Sequence, residues 1–193
     1  EGVEVRPIEQ LTGGSEFNEV FLTGARTASD LVVGEPGDGW RVALALLGFE
    51  RGVSVLGQVV GFARELRAVV ELARENGALH DPVLRDRLAG LAVELEVMRW
   101  QALRGLSADD PAAPSIFKLV WANWHKRLGE VAMDVRGLDG LVARAAPYEL
   151  DEWQRLFLFS RADTIYGGSD EVQRNILAER VLGLPREPRG ADR

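Results

Sequence analysis

A chain of 193 residues, 46% of them hydrophobic, has the material for one packed domain, or one domain and part of another, and is too apolar for intrinsic disorder. Its net charge of −7 argues against a nucleic-acid binder, which needs a basic stripe. The absence of cysteine excludes disulfides and thiolate metal sites, and His80 and His125 stand isolated, with no cluster at ligand spacing, so no metal is expected.

The chain opens on extended patterns. Val3 and Val5 alternate with polar residues, Gly13-Gly14 marks a turn, and Phe17, Val20-Phe21-Leu22 and Leu31-Val32-Val33 are short β-type runs. Three such runs bury too little apolar face to form a stable sheet alone. The opening residues Glu1 to Ile8 read as a strand already under way, so a piece of a longer chain is expected. Residues 34–39, rich in Gly and Pro, form a linker.

Helical periodicity follows. A first helix runs from Trp40 to about Glu75, with apolar residues at Leu44, Leu47, Val55, Val59, Phe62, Leu66, Val69 and Ala73. Between Val42 and Val60 nearly every face is apolar or small, which predicts a central helix buried among others. Gly48, Gly52, Gly57 and Gly61 interrupt it at about 1 kcal/mol each against Ala, so close helix contact or close ligand approach is expected there. Asp81-Pro82 opens a second helix that runs through Leu88, Leu91, Leu95 and Met98 to about Leu106. A third runs from about Pro114 to Val135, a fourth from Tyr148–Leu150 to Ile165, and a short fifth from Ser169 to Leu182. The pattern predicts a mainly α fold: an antiparallel four-helix bundle with a short fifth helix, preceded by a small β segment. No run of ~18 apolar residues and no signal-peptide pattern is visible, so a soluble, cytoplasmic protein is expected.

The most informative stretch is Thr164-Ile165-Tyr166-Gly167-Gly168-Ser169-Asp170-Glu171-Val172-Gln173-Arg174-Asn175-Ile176. Two glycines break the helical pattern, Ser169 is a preferred N-cap, and Asp170 and Glu171 fall where the helix dipole favours acids. On physical grounds this is either a plain helix–turn–helix corner or a helix start that receives a phosphate-bearing or planar ligand. Its wording, with Gly183-Leu184-Pro185-Arg186 beyond it, closely resembles the C-terminal signature of the acyl-CoA dehydrogenases, flavoproteins that desaturate acyl thioesters.

The resemblance covers nearly the whole chain. Residues 1–35, with Gly13-Gly14-Ser15-Glu16-Phe17-Asn18-Glu19-Val20-Phe21, look like the end of that family's middle β-barrel domain, and residues 36–193 like its C-terminal bundle. It implies FAD as cofactor, an acyl-CoA substrate, an electron-transfer flavoprotein or similar acceptor, a role in fatty-acid metabolism and assembly into a dimer or tetramer. Many members carry the catalytic base as a Glu directly after the signature Tyr, where this chain has Gly167. A smaller set carries it on the first bundle helix directly before an Arg, which here is Glu50-Arg51. Glu50 lies in the most apolar stretch of the chain, where burial raises a carboxyl pKa and suits a base; a surface Glu paired with Arg51 or another helix is the alternative.

By the same resemblance Arg51, Tyr166 and Gly167 border the substrate, Arg51 near the CoA moiety. Gly168, Ser169, Gln173 and Arg74 meet the flavin. Arg51 also reads as a surface arginine and Tyr166 as a core aromatic, while Ser169 can cap its helix and touch a ligand at once. Two departures weaken the cofactor edge. Of the family's Arg-x-Thr-Phe-Gly box only Arg74 survives, in Arg74-Glu75-Asn76-Gly77-Ala78, and its Gln-x-x-Gly-Gly segment is here Asp134-Val135-Arg136-Gly137-Leu138, with an acid that repels a pyrophosphate. The rivals are a catalytically silent subunit of a heteromeric dehydrogenase and a ligand-free helical oligomerisation module.

Overall fold

The computed structural model describes residues 1–53, 55–107, 110, 112–145 and 148–186, with the side chains of 48–53, 55, 106 and 107 outside that description. Two strands, β1 (Val3–Ile8) and β2 (Phe17–Leu22), pair antiparallel with Val3 opposite Leu22 and Ile8 opposite Phe17. All twelve strand positions are exposed, so this hairpin has no packed face of its own. The third expected run does not form a strand. Ser29–Leu31 is a 3-10 turn, and Leu31–Val33 has no neighbouring strand to pair with among the described residues.

Among the described residues six α-helices follow: α1 (Gly39–Val53), α2 (Val55–Glu75), α3 (Pro82–Ser107), α4 (Ala113–Arg136), α5 (Glu152–Phe159) and α6 (Asp170–Ile176). The single helix expected from Trp40 to Glu75 is therefore described as α1 and α2, with residue 54 outside the described residues. Three of the six carry the core on stripes that alternate steps of three and four. These are Val59, Phe62, Leu66, Val69 and Ala73 on α2, Leu88, Leu91, Leu95, Met98 and Ala102 on α3, and Phe117, Trp121, Trp124, Leu128, Val131 and Val135 on α4. That spacing keeps one face turned to a neighbour over many turns, which makes a bundle. Trp124 is fully buried at the centre, and its indole N–H donates to the Leu91 carbonyl at 2.9 Å.

The predicted boundaries of the middle helices hold because caps define them. Asp81 Oδ1 accepts from the Val83 N–H at 2.8 Å to start α3, and Asn76 Nδ2 donates to the Val135 carbonyl at 2.7 Å, pinning the end of α2 to the end of α4. The fourth predicted helix is shorter than its pattern suggested. Asp151 and Gln154 form a reciprocal capping box, so α5 starts at Glu152, and it stops at Phe159 before a 3-10 turn at Ala162–Thr164. The fifth runs as α6 and then widens into a π turn at Leu177–Val181.

The first helix departs most from expectation. Trp40 is 77% exposed and Leu46 66%, and α1 packs only lightly on α2, so its apolar face has no cover among the described residues. Close helix contact, one of the two expectations for the glycines, does not occur at the two positions the structure describes: a Cβ on Gly57 or Gly61 would meet nothing within 4 Å. The close approach is elsewhere. On α4, a Cβ on Gly129 would lie 2.7 Å from Ser160 Oγ and 3.0 Å from Phe157 Cα, where α5 crosses. Gly129→Ala is therefore expected to cost about 1–3 kcal/mol through overpacking. Gly61→Ala, in open space, is expected to add up to about 1 kcal/mol. Thermal denaturation of the two variants should show opposite signs.

Candidate functional site

The Gly167-Gly168-Ser169 corner joins the Ala162–Thr164 turn to α6. Gly167 (φ 63°) and Gly168 (φ 91°) both adopt the left-handed backbone that favours glycine. Gly168 has a second reason to lack a side chain, since a Cβ there would run into the Gln173 side-chain amide. Gln173 is buried beneath the corner, 1% exposed, and its Nε2 donates to the Gly167 carbonyl at 3.3 Å. Ser169 caps α6 as its sequence predicts, accepting from the Val172 N–H at 3.4 Å. Glu171 lies over the same helix start: hydrogen bonds from its own backbone N–H and from the Ser169 hydroxyl hold its carboxyl below the usual carboxylate range.

Behind the corner runs a chain of polar side chains. The Tyr166 ring packs against Phe17, Phe159 and Trp121 at centroid distances of 6.2, 6.4 and 6.5 Å, and its hydroxyl donates to Asp163 Oδ1 at 2.6 Å. Burial and that bond push the phenol well above its ordinary range. Asp163 is 1% exposed, and its second carboxylate oxygen meets His125 Nδ1 at 2.5 Å. The other imidazole nitrogen, Nε2, lies 2.9 Å from Glu65 Oε2 on α2. Burial alone would lower the His125 pKa, but the hydrogen bonds and charges of Asp163 and Glu65 outweigh it and hold the imidazole at about 9, so both ring N–H groups donate at neutral pH.

Lys118 completes the cluster. Its ammonium donates to the Asp163 backbone carbonyl and lies 4.4 Å from the Trp121 ring centroid and 5.3 Å from that of Tyr166. Burial pushes the ammonium below its ordinary range, against the pull of the Asp163 and Asp170 carboxylates. Asp170 is itself buried and accepts from Asn123 Nδ2 at 2.7 Å.

Tyr166, Gly167, Gly168, Ser169 and Gln173 are thus brought together. Arg74 is not. It pairs with Glu71 at 2.6 Å on the surface of the last turn of α2, beside the Val135 end of α4, and α4 rises about 25 Å between Lys118 and Val135. Asp134 at that end is paired with Arg87 at 2.6 Å, which offsets its charge. Glu50 and Arg51 fall on α1, but their side chains lie outside the described residues.

Sequence reasoning missed the buried cluster, because Glu65 and Asp163 stand 60 and 38 positions from His125. The available signal was on α4: Lys118, Trp121 and His125 at steps of three and four beside an otherwise apolar stripe. Among the described residues no group of three or more His, Cys, Asp or Glu is placed to hold a metal, and no helix is long and apolar enough to cross a membrane.

A fold of this kind, with a glycine corner of this sequence, defines the C-terminal helical domain of a flavoenzyme class. The family model described as the acyl-CoA dehydrogenase C-terminal domain matches residues 37–182, and the chain belongs to the acyl-CoA dehydrogenase family. It is 60% identical over 189 residues to the acyl-CoA dehydrogenase IpdE1 of Mycolicibacterium smegmatis, covering 98% of this chain and 48% of that protein. It is 35% identical to the acyl-CoA dehydrogenase FadE34 of Mycobacterium tuberculosis, covering 96% of this chain and 25% of that protein. Among solved structures, the Tcur3481-Tcur3483 steroid ACAD superposes with a TM-score of 0.82 at 26% identity over 97% of this chain and 50% of that one. The ChsE4-ChsE5 complex from Mycobacterium tuberculosis gives 0.79 at 25% identity over the same shares. The chain spans about half the length of the IpdE1 relatives it matches.

The raised imidazole links stability to pH. Because the folded pKa of about 9 lies above the ordinary 6.5, its contribution is full below about pH 6.5 and disappears as pH rises through 9. Urea unfolding of the wild-type chain should lose stability across that window. His125→Gln should be less stable at neutral pH and flatter across it.

Proposed function

We propose that this chain is the C-terminal part of an FAD-dependent dehydrogenase that introduces an α,β double bond into an acyl-CoA thioester. Residues 1–35 are then the end of the preceding β domain, and residues 36–193 the catalytic bundle. The observation that carries the reading is the Gly167-Gly168-Ser169 corner, built as an open backbone edge over a buried polar cluster and lying within the segment that matches the family.

The corner suits one edge of a flavin. Gly167 is exposed and without a side chain, Ser169 presents a hydroxyl, and Gln173 Oε1 is buried with no hydrogen-bond partner among the described residues. FAD, when bound, supplies the hydride acceptor. This chain's residues do the rest: Gly168, Ser169 and Gln173 hold the cofactor edge, Arg51, Tyr166 and Gly167 border the thioester, and the Glu50 carboxylate takes the α-proton. Arg74, at the far end of α4, serves a flavin shared with another subunit.

The name of the Tcur3481-Tcur3483 steroid ACAD supports a bulky, polycyclic acyl group as substrate class. The paired names of that protein and of the ChsE4-ChsE5 complex support a partner chain of the same family alongside copies of this one. An electron-transfer flavoprotein is the fitting acceptor. A second reading, a catalytically silent subunit, draws on Gly167 standing where many members have their base.

In the full-length protein assembled with its partner, Glu50→Gln is expected to keep its flavin and to lose about 100-fold or more in kcat. Unchanged turnover would assign the chain to the silent-subunit reading. Ser169→Ala should cost about 1 kcal/mol through the lost cap and reduce FAD content further than that destabilisation explains. Gly168→Val should lose more, because its side chain meets Gln173 and its backbone needs a positive φ. Full flavin occupancy in both variants would remove the corner from the cofactor site.

A further inference from the structure

The buried cluster behind the corner links Glu65, His125, Asp163, Tyr166 and Lys118. Asp163 carries a carboxylate at 1% exposure, which is costly to bury unless every lone pair finds a partner. It has three kinds of partner. Oδ1 accepts from the Tyr166 hydroxyl at 2.6 Å, Oδ2 faces His125 Nδ1 at 2.5 Å, and its backbone carbonyl accepts from the Lys118 ammonium. The two groups on its outer side, Tyr166 and Lys118, are those that flank Gly167. The Lys118 Cε atom lies 3.6 Å from where a Gly167 Cβ would be, and Tyr166 directly precedes it.

We propose that Asp163 and His125 are positioning residues for the ligand-binding corner: Asp163 holds the Tyr166 ring and the Lys118 ammonium beside Gly167, and His125, braced by Glu65, holds Asp163. The inference rests on the reading that this corner faces the flavin and the acyl thioester. Its geometry draws on three separate elements. Lys118 and His125 lie two turns apart on α4, Glu65 stands on α2, and Asp163 sits in the 3-10 turn that leads into the corner. The 3-10 turn has no long helix of its own to fix it, so these cross-links set the position of Tyr166.

The charged surroundings support a fixed arrangement. The imidazolium of His125 faces Asp163 and Glu65, and Lys118 faces Asp163 and Asp170, so two cations are set among three carboxylates. Asp170 is held in turn by Asn123 and by Arg174 at 3.4 Å. At the opposite end from the corner, a cavity of about 450 Å³ lined by Glu16, Glu65, His125, Glu152 and Arg155 opens beneath the hairpin turn. The Glu65 end of the cluster therefore meets solvent while the Asp163 end is sealed. The phenol of Tyr166, donating to a carboxylate that faces a cationic imidazole at neutral pH, keeps its oxygen lone pairs and ring edge at a set place.

The test uses the full-length flavin-loaded assembly and the variants Asp163→Asn, His125→Gln, Tyr166→Phe and the double variant Asp163→Asn/Tyr166→Phe. If Asp163 acts through Tyr166, Asp163→Asn and Tyr166→Phe should each raise the KM for acyl-CoA by about tenfold, with kcat changed less, and the double variant should lose no more than the worse single one. His125→Gln, which keeps one donor for Asp163, should fall between wild type and Asp163→Asn. Factors that multiply in the double variant, or wild-type KM in Asp163→Asn, would overturn the proposal.

A second readout does not need turnover. In protein labelled with fluorotyrosine, the 19F signal absent from Tyr166→Phe reports the phenol, whose titration should move to lower pH in Asp163→Asn. An unmoved titration would also overturn it. His125→Gln carries both measurements if Asp163→Asn does not fold. A wild-type protein without flavin or turnover would sink the functional reading and leave the 19F comparison to decide the positioning. An active, flavin-loaded wild type with multiplying variants would sink the positioning alone.

Discussion

The helix α4 has to bury three faces at once, and the rest of the chain is arranged around that requirement. Its stripe from Phe117 to Val135 packs against α2 and α3, its small residue Gly129 admits α5 at backbone distance, and its N-terminal half carries α6 and the 3-10 turn before it. Trp124 sits where these surfaces meet, and the hydrogen bond from its indole to the Leu91 carbonyl removes the polar cost of a buried ring nitrogen. Apolar burial on this scale is the dominant favourable term in the folding of such a bundle. It also sets where every other element can lie.

The same helix supplies the inner wall of the candidate site. Along one edge of the core stripe, which Trp121 shares, Lys118, Trp121 and His125 bring a cation, an aromatic surface and a second cation toward the turn at Asp163. A carboxylate there without partners would be strongly destabilising, whereas one held by the Tyr166 hydroxyl and the His125 imidazole, with Lys118 on its backbone carbonyl, becomes a fixed point from which Tyr166 and the glycine corner are hung. Rigidity at the corner therefore derives from buried charge, while rigidity of the bundle derives from apolar packing. The two meet at Phe62, whose ring lies 4.8 Å from the His125 imidazole and 5.3 Å from Trp124.

Other parts of the chain are unfinished by themselves. Both faces of the hairpin are exposed, α1 shows Trp40 and Leu46 to solvent, and the chain spans about half the length of the IpdE1 proteins. Apolar surface on this scale marks contact with something further. The glycine corner and Arg74 lie at opposite ends of α4 rather than around one pocket.

What the sequence by itself determined was local. The steps of three and four on α2, α3 and α4, the caps at Asp81 and Ser169, and the paired glycines at 167 and 168 each act through neighbours within one or two turns, so their consequences could be read without a fold. The family wording around Tyr166 was legible for the same reason, being one continuous segment. Only tertiary structure decided where the fourth helix ends, that Gly57 and Gly61 stand in open space while Gly129 is the tight crossing, and that α1 is left uncovered. It alone joined Glu65, His125 and Asp163. Hydrogen bonds and ion pairs between residues tens of positions apart depend on how helices cross, and side-chain periodicity records which face of a helix is buried but not which partner that face will meet.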